Sequence, residues 1–190
     1  MKVLILNGSK TEESVLNTIS NHLSDFFIKK NHEVNTMILR KEKILDCTGC
    51  HNCWTKTPGE CTFKDAGSEL PKKVIQSDIL LLLTSVTFGM YSSELKRAID
   101  RFPCPLTLPF FKKIKGETHN VQRYKKYPTM IAFGVLPSPD EESEHTFTTL
   151  VARNSLNLHT TAVSTIVYSS DKPEAIREKI SSTLSKAGVS

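Results

Sequence analysis

The sequence predicts an α/β protein on a five-stranded parallel sheet in the order 2-1-3-4-5, and three observations carry that expectation. Strand-length apolar runs alternate with helical apolar stripes along most of the chain. The first, third and fourth runs are almost wholly apolar, as strands covered on both faces must be. The second and fifth are mixed, which suits the edges of such a sheet.

Taken in order, residues 3–6 form the first buried run, closed by Asn7-Gly8-Ser9 as a tight turn. From residue 11 to about 30, Val15, Leu16, Ile19, Leu23, Phe26 and Phe27 share one helical face. Residues 33–39 read as the second, more polar strand and residues 79–83 as the third. Leu95, Ala98, Ile99 and Phe102 mark the helix behind the third strand. Residues 129–135 make the fourth strand. Pro137, Pro139 and the acids Glu141, Glu142 and Glu144 then open a helix whose N-terminus favours negative charge. Val163, Thr165 and Val167 alternate as the fifth strand. Asp171 and Glu174 predict a capping box around Pro173, ahead of a last helix through Ile176, Ile180 and Leu184. Residues 47–65 and 103–126 fall outside this plan, and long excursions of that kind are usually functional.

At 190 residues, one domain over residues 1–190 is expected, able to bury roughly 70% of the unfolded chain's surface without disulfides. The longest apolar run, residues 79–83, is far short of the roughly 20 residues that span a bilayer. The opening residues lack a signal-peptide pattern, so a cytoplasmic protein without a membrane partner is expected. The net charge of +5 comes from scattered basic residues with no nucleic-acid-binding motif, so no nucleic-acid partner is expected.

In an open parallel sheet, ligands bind beyond the carboxyl ends of the strands where the winding direction reverses. Here that point faces two loops. The first, residues 7–14, runs straight into a helix and offers unpaired amides, the hydroxyls of Ser9, Thr11 and Ser14, and the charge of Lys10. That suits a phosphate, and a helix cap joined to a turn is the plainer alternative. It matches neither the Walker nor the dinucleotide glycine pattern. The second loop, residues 84–93, has Ser85, Val86, Thr87 and Gly89 to border a planar heterocycle, with Phe88 or Tyr91 to cover it. Core packing of those aromatics is the competing reading.

Four of the five cysteines, Cys47, Cys50, Cys53 and Cys61, fall within fifteen residues in the spacing Cys-x2-Cys-x2-Cys-x7-Cys. Four thiolates suffice for a 4Fe–4S cluster or a structural zinc, and the long last gap also admits free, oxidisable thiols. Cys104, between two prolines and remote in sequence, is expected to be no ligand.

Residues 84–101 look like the flavin-ring loop of the flavodoxin-like NAD(P)H-dependent FMN reductases, and residues 3–9 resemble that family's phosphate loop. Residues 47–61 are similar to the cysteine loop of its iron–sulfur-flavoprotein-like branch, as are Pro109-Phe110-Phe111, Gly116, His119, Arg123-Tyr124 and Tyr127-Pro128. Two departures stand out. The phosphate loop has Lys10-Thr11 where Pro-Arg and a further Gly are usual, and Asp65-Ala66 stands where paired aspartates are common.

The resemblance implies a flavodoxin-like three-layer sandwich binding FMN through Ser9, Lys10, Thr11, Ser14 and Val15 at the phosphate. Ser85, Val86, Thr87, Phe88, Gly89 and Tyr91 would lie at the ring. It implies an oxidoreductase passing electrons from NAD(P)H to a quinone, nitro compound, flavin or protein acceptor, working as a homodimer or homotetramer. The flavin would carry the chemistry, so no catalytic acid, base or nucleophile is assigned. The alternatives are an electron carrier with a 4Fe–4S cluster on Cys47, Cys50, Cys53 and Cys61, or a non-enzymatic flavin- or zinc-binding module.

Overall fold

In the computed structural model, which describes residues 1–189, strand β1 (Lys2–Asn7) passes through helix α1 (Val15–Lys29) to β2 (Glu33–Ile38). A short 3-10 turn at Leu39–Lys41, the cysteine-bearing segment with α2 (Asn52–Thr55), and α3 (Leu70–Ile75) lead to β3 (Ile79–Ser85). Then come α4 (Ser93–Ile99), α5 (Pro103–Leu106), β4 (Thr107–Ile114) and β5 (Glu117–Gln122). The chain continues with β6 (Thr129–Leu136), α6 (Glu141–Asn157), β7 (Ala162–Tyr168) and α7 (Pro173–Lys186).

The main sheet is parallel throughout, in the order β2-β1-β3-β6-β7. The expected numbering differs because the excursion after α5 contributes two strands of its own. These pair antiparallel as a separate hairpin, β4-β5. Lys115 and Gly116, both at positive φ, make its two-residue turn, the geometry that matches the twist of the strands. The pairing register shifts between Leu108 and Phe111, where Pro109 has no N–H to give the ladder.

Two apolar layers hold the sheet. Val3, Ile5, Leu81, Leu83, Ile131 and Phe133 face α1 and α7, whose Leu16, Ile19, Leu23, Ile176, Ile180 and Leu184 cover them. The alternate residues Leu4, Leu6, Leu80, Leu82 and Ala132 face α3, α4 and α6. Period-two alternation on strands buried on both sides requires that division. No helix among the described residues is long and apolar enough to cross a membrane.

Two helix starts differ from expectation. Helix α1 begins at Val15 rather than near residue 11, because the Asn17 side chain donates to the carbonyls of Thr11 and Glu12 and folds them into a turn. Asp171 does not cap α7: its carboxylate accepts from the Tyr168 amide and the Lys179 ammonium, leaving Lys172 at the N-cap position. Helix α3, the crossover to β3, carried too short a pattern to anticipate.

Candidate functional site

The loops after β1 and β3 lie side by side at the carboxyl end of the sheet. The Gly8 amide donates to the Leu83 carbonyl at 2.8 Å, and the Ser92 hydroxyl donates to the Gly8 carbonyl at 3.0 Å. A Cβ at position 8 would stand 2.9 Å from the Leu83 carbonyl oxygen and 2.9 Å from Ser92 Oγ. Only a residue without a side chain lets the two backbones meet.

Beyond that contact, Ser9 is buried. Its amide donates to Asn7 Oδ1 at 2.9 Å, and its hydroxyl donates to Asn17 Oδ1 at 3.1 Å. The same hydroxyl accepts from Arg40 Nη1 at 2.6 Å. Ser9 is thus committed within the chain and positions its neighbours. Ser14 caps α1, its side chain accepting from the Leu16 amide at 3.3 Å. Among the described residues, no acceptor of the chain receives the backbone N–H groups of residues 10–15. Lys10 and Thr11 are exposed beside them, while the Val15 side chain packs partly into the core under α1. The result is a row of free amides, two hydroxyls and nearby cations, a donor set that fits a phosphate.

Arg40 and Asn17 have no motif signal in the sequence. Arg40 follows β2 and arrives through the fold; Asn17 stands in the first turn of α1, where its side chain folds back onto the loop before the helix. Glu12 lies 3.6 Å from Arg40 Nη2 and 3.4 Å from Lys41 Nζ. Lys41 first, then Arg40, hold its carboxyl below the usual carboxylate range.

In the second loop, Thr87 and Met90 exchange backbone hydrogen bonds of 3.0 and 2.9 Å around Phe88 and Gly89, both at positive φ. This two-residue reversal leaves the Phe88 side chain pointing outward at 94% exposure. Gly89 is required twice: its φ is +72°, and a Cβ there would lie 2.5 Å from Thr146. Ser85 and Thr87 reach the surface, while Val86 is buried with its amide on the Val135 carbonyl at 2.9 Å. Tyr91 does not cover the loop. It is a core residue, edge-on to Phe147 at 5.9 Å, with its hydroxyl accepting from Asn154 at 3.1 Å. Burial pushes its phenol up to about 12. Phe88 is therefore the aromatic that this loop presents.

A third region adjoins. Cys47, Cys50, Cys53 and Cys61 line one pocket together with Arg101 and Cys104. Sequence distance sets Cys104 apart, but α5 packs beside α2, and Trp54 Nε1 donates to the Cys104 carbonyl at 2.6 Å and to the Thr107 carbonyl at 3.1 Å. Among the described residues, no group of three or more His, Cys, Asp or Glu side chains is arranged to hold a metal ion. Cys47 and Cys50 are exposed and the others half-buried. The Asn52 amide at the start of α2 is the main cause lowering the Cys50 thiol. Burial, then Cys104, pushes Cys53 up to about 11. His51 stacks on Trp54 at 4.9 Å, and His119 Nδ1 lies 2.9 Å from Asn157 Oδ1, so both are engaged structurally.

A family model described as NADPH-dependent FMN reductase matches residues 1–120. An iron–sulfur flavoprotein of Archaeoglobus fulgidus is 34% identical over 95 residues, 50% of this chain and 39% of that protein. One from Methanocaldococcus jannaschii is 29% identical over 101 residues, 53% of this chain and 51% of that protein. The match thus spans about half the length of these curated relatives or less. Among solved structures, an NAD(P)H:quinone oxidoreductase from Methanothermobacter marburgensis superposes with a TM-score of 0.68 at 13% identity, over 100% of this chain and 96% of that one. An FMN-dependent NADH-azoreductase from Bacillus anthracis in complex with FMN gives 0.59 at 13% identity, over 98% and 97%. At such identities the superpositions establish the fold, which is flavodoxin-like.

Proposed function

The chain belongs to the NADPH-dependent FMN reductase family, and from that premise we propose that it is an FMN-dependent oxidoreductase drawing electrons from NAD(P)H, with residues 1–190 forming one flavin-binding domain. The observation that carries the reading is the docking of the two loops through Gly8. It sets the free amides of residues 10–15 and the turn bearing Phe88 at one end of the same pair of strands. A phosphate at one side and a planar ring at the other is what such a pair of loops can take.

In this reading the amides from Lys10 to Val15 and the hydroxyls of Thr11 and Ser14 bind the phosphate, Lys10 adds charge, and buried Ser9 sets the loop's shape. Ser85, Thr87 and Gly89 border the ring, with Val86 anchoring the loop to β6 and Phe88 free to lie against the ring. Tyr91 supports the loop from beneath. FMN, when bound, supplies hydride acceptance and onward electron transfer to a quinone, nitro compound, flavin or protein acceptor. The chain's own residues bind and orient it, and none is assigned a proton-transfer role.

Exposed Phe110 and Phe111 on the β4-β5 hairpin suit a contact with a second copy, in a homodimer or homotetramer. The shared pocket of Cys47, Cys50, Cys53 and Cys61 favours a second reading, an iron–sulfur electron carrier. Among the described residues, the present arrangement of those thiols fits no single metal ion.

The test is direct. Folded protein is expected to bind about one FMN per chain, in preference to FAD, since one helix N-terminus accommodates one terminal phosphate. Folded protein that binds no FMN overturns the reading. Brown protein with stoichiometric iron and sulfide after anaerobic purification would move it to the electron carrier.

A further inference from the structure

We propose that Arg40, arriving from the end of β2, is the principal side-chain cation for the flavin's phosphate, and that Glu12 occupies this cation until the phosphate displaces it. The proposal rests on the FMN reading and specifies how this chain satisfies it without an arginine in the loop itself.

Four observations carry it. The loop after β1 has Lys10-Thr11 directly after Ser9, and among the described residues Lys10 makes no ion pair, so the loop places no cation of its own in a fixed position. Arg40 is fixed. Its side chain is only 16% exposed, and Nη1 donates to Ser9 Oγ, the innermost hydroxyl of the loop, at 2.6 Å. Ser9 is itself locked by Asn17, so the guanidinium has a definite position against the start of the loop whose amides at residues 10–15 are free. Third, the anion now facing Arg40 is a weak holder. Glu12 is 76% exposed, 3.6 Å from Nη2, and shared with Lys41. Fourth, Glu12 lies on the anion-binding loop itself, so its carboxylate stands over the same cations that a phosphate on that loop would meet.

Charge decides the exchange. A phosphate monoester carries about −1.5 to −2 at neutral pH and three acceptor oxygens, against one negative charge for the carboxylate. A planar guanidinium can keep one nitrogen on Ser9 and offer the other to a phosphate oxygen, as a lysine could not. Glu12, exposed and held by surface pairs, swings away at little cost. The consequence is selectivity for phosphorylated over unphosphorylated flavin, set by a residue outside the phosphate loop.

Titration of the full-length protein with FMN and with riboflavin, followed by flavin fluorescence, tests this at two salt concentrations. Arg40→Met is expected to weaken FMN roughly ten- to hundredfold, the range for a hydrogen bond to a charged group, while leaving riboflavin within about twofold. Glu12→Gln, a change at an exposed site that leaves folding intact, is expected to tighten FMN up to about fivefold without moving riboflavin, and to lessen when salt is raised. Arg40→Met with the wild-type ratio of FMN to riboflavin affinity, or with both flavins weakened equally, overturns the proposal. So does Glu12→Gln that leaves FMN unchanged at low salt. Wild-type protein that binds neither flavin overturns the FMN reading itself, a result distinct from either of these.

Discussion

Arg101 and Asp65 form a buried ion pair 36 positions apart, with Nη1 to Oδ2 at 2.7 Å and Nη2 to Oδ1 at 2.9 Å. Their side chains are 1% and 2% exposed. Arg101 also donates to the Leu45 carbonyl at 2.6 Å and to Cys61 Sγ at 3.3 Å, with the Phe63 ring 5.2 Å from its guanidinium carbon. One arginine just past α4 thus ties down both ends of the cysteine segment. A Cβ at Gly67 would come within 2.7 Å of its Nη1, so the backbone there is pressed against the guanidinium.

Removing one partner leaves the other charge buried alone. Arg101→Met is therefore expected to lower stability by about 3 kcal/mol or more in urea unfolding. It should also expose Cys61 to alkylation in the native protein, which mass mapping reads directly.

The same pair sets an acid limit. Burial acts to raise the Asp65 pKa, but hydrogen bonds from Arg101 and from the Leu45 and Ser68 amides outweigh it, and the carboxyl sits below its usual range. A group depressed in the folded state contributes stability that is present above the unfolded pKa, about 3.9, and lost as pH falls through the folded value. Unfolding midpoints should hold steady from neutral pH to about 5 on this account and fall below about 4. Asp65→Asn, less stable at pH 7, should show a shallower fall. An equally steep decline in the variant would assign the acid sensitivity to other carboxylates.

Gly89→Ala places a Cβ at φ +72° and 2.5 Å from the Thr146 side chain. The strained conformation and the contact together are expected to cost about 1–3 kcal/mol. If this turn borders the flavin ring, FMN and riboflavin affinity should fall together, unlike the phosphate-selective effect at Arg40. Equal melting temperatures for variant and wild type would show that the turn relaxes freely.

Thiol alkylation followed by mass spectrometry should find Cys50 modified first and Cys53 last among the cysteine-segment residues. Cys50 is exposed and its thiol lowered chiefly by the Asn52 amide, whereas Cys53 is half-buried and pushed up to about 11. Only the thiolate reacts, so Cys53 should label appreciably only in alkaline solution. Retention of flavin after Cys50 is modified would separate the cysteine segment from cofactor binding.

Much of the site was legible where chemistry is local. Gly8 and Gly89 stand in turns that a side chain would block, whereas the cap at Ser14 falls inside the helix expected from residue 11. The cysteine spacing is visible by inspection. What escaped were partners brought from elsewhere: Arg40 lies 31 positions from Ser9, Cys104 shares a pocket with cysteines some fifty positions earlier, and Asp65 meets Arg101, 36 positions away. For Phe88 and Tyr91 the sequence left ring cover and core packing both open, because loop position says nothing about which way a ring turns; Tyr91 packs into the core and Phe88 faces solvent.

By itself, the sequence determined the layered sheet. Runs such as residues 79–83 are apolar at every position, and only a strand covered on both faces can bury both sets of side chains. It likewise determined where the loops after the first and third strands begin, since a buried parallel strand ends in a turn at the sheet's rim. The tertiary structure alone decided which charges meet there. A guanidinium reaches only about two residues' length from its backbone, so its partner is chosen by where the crossovers return the chain. That is why Arg40 closes on Ser9 and Glu12 while Lys10, next door in sequence, stays in solvent.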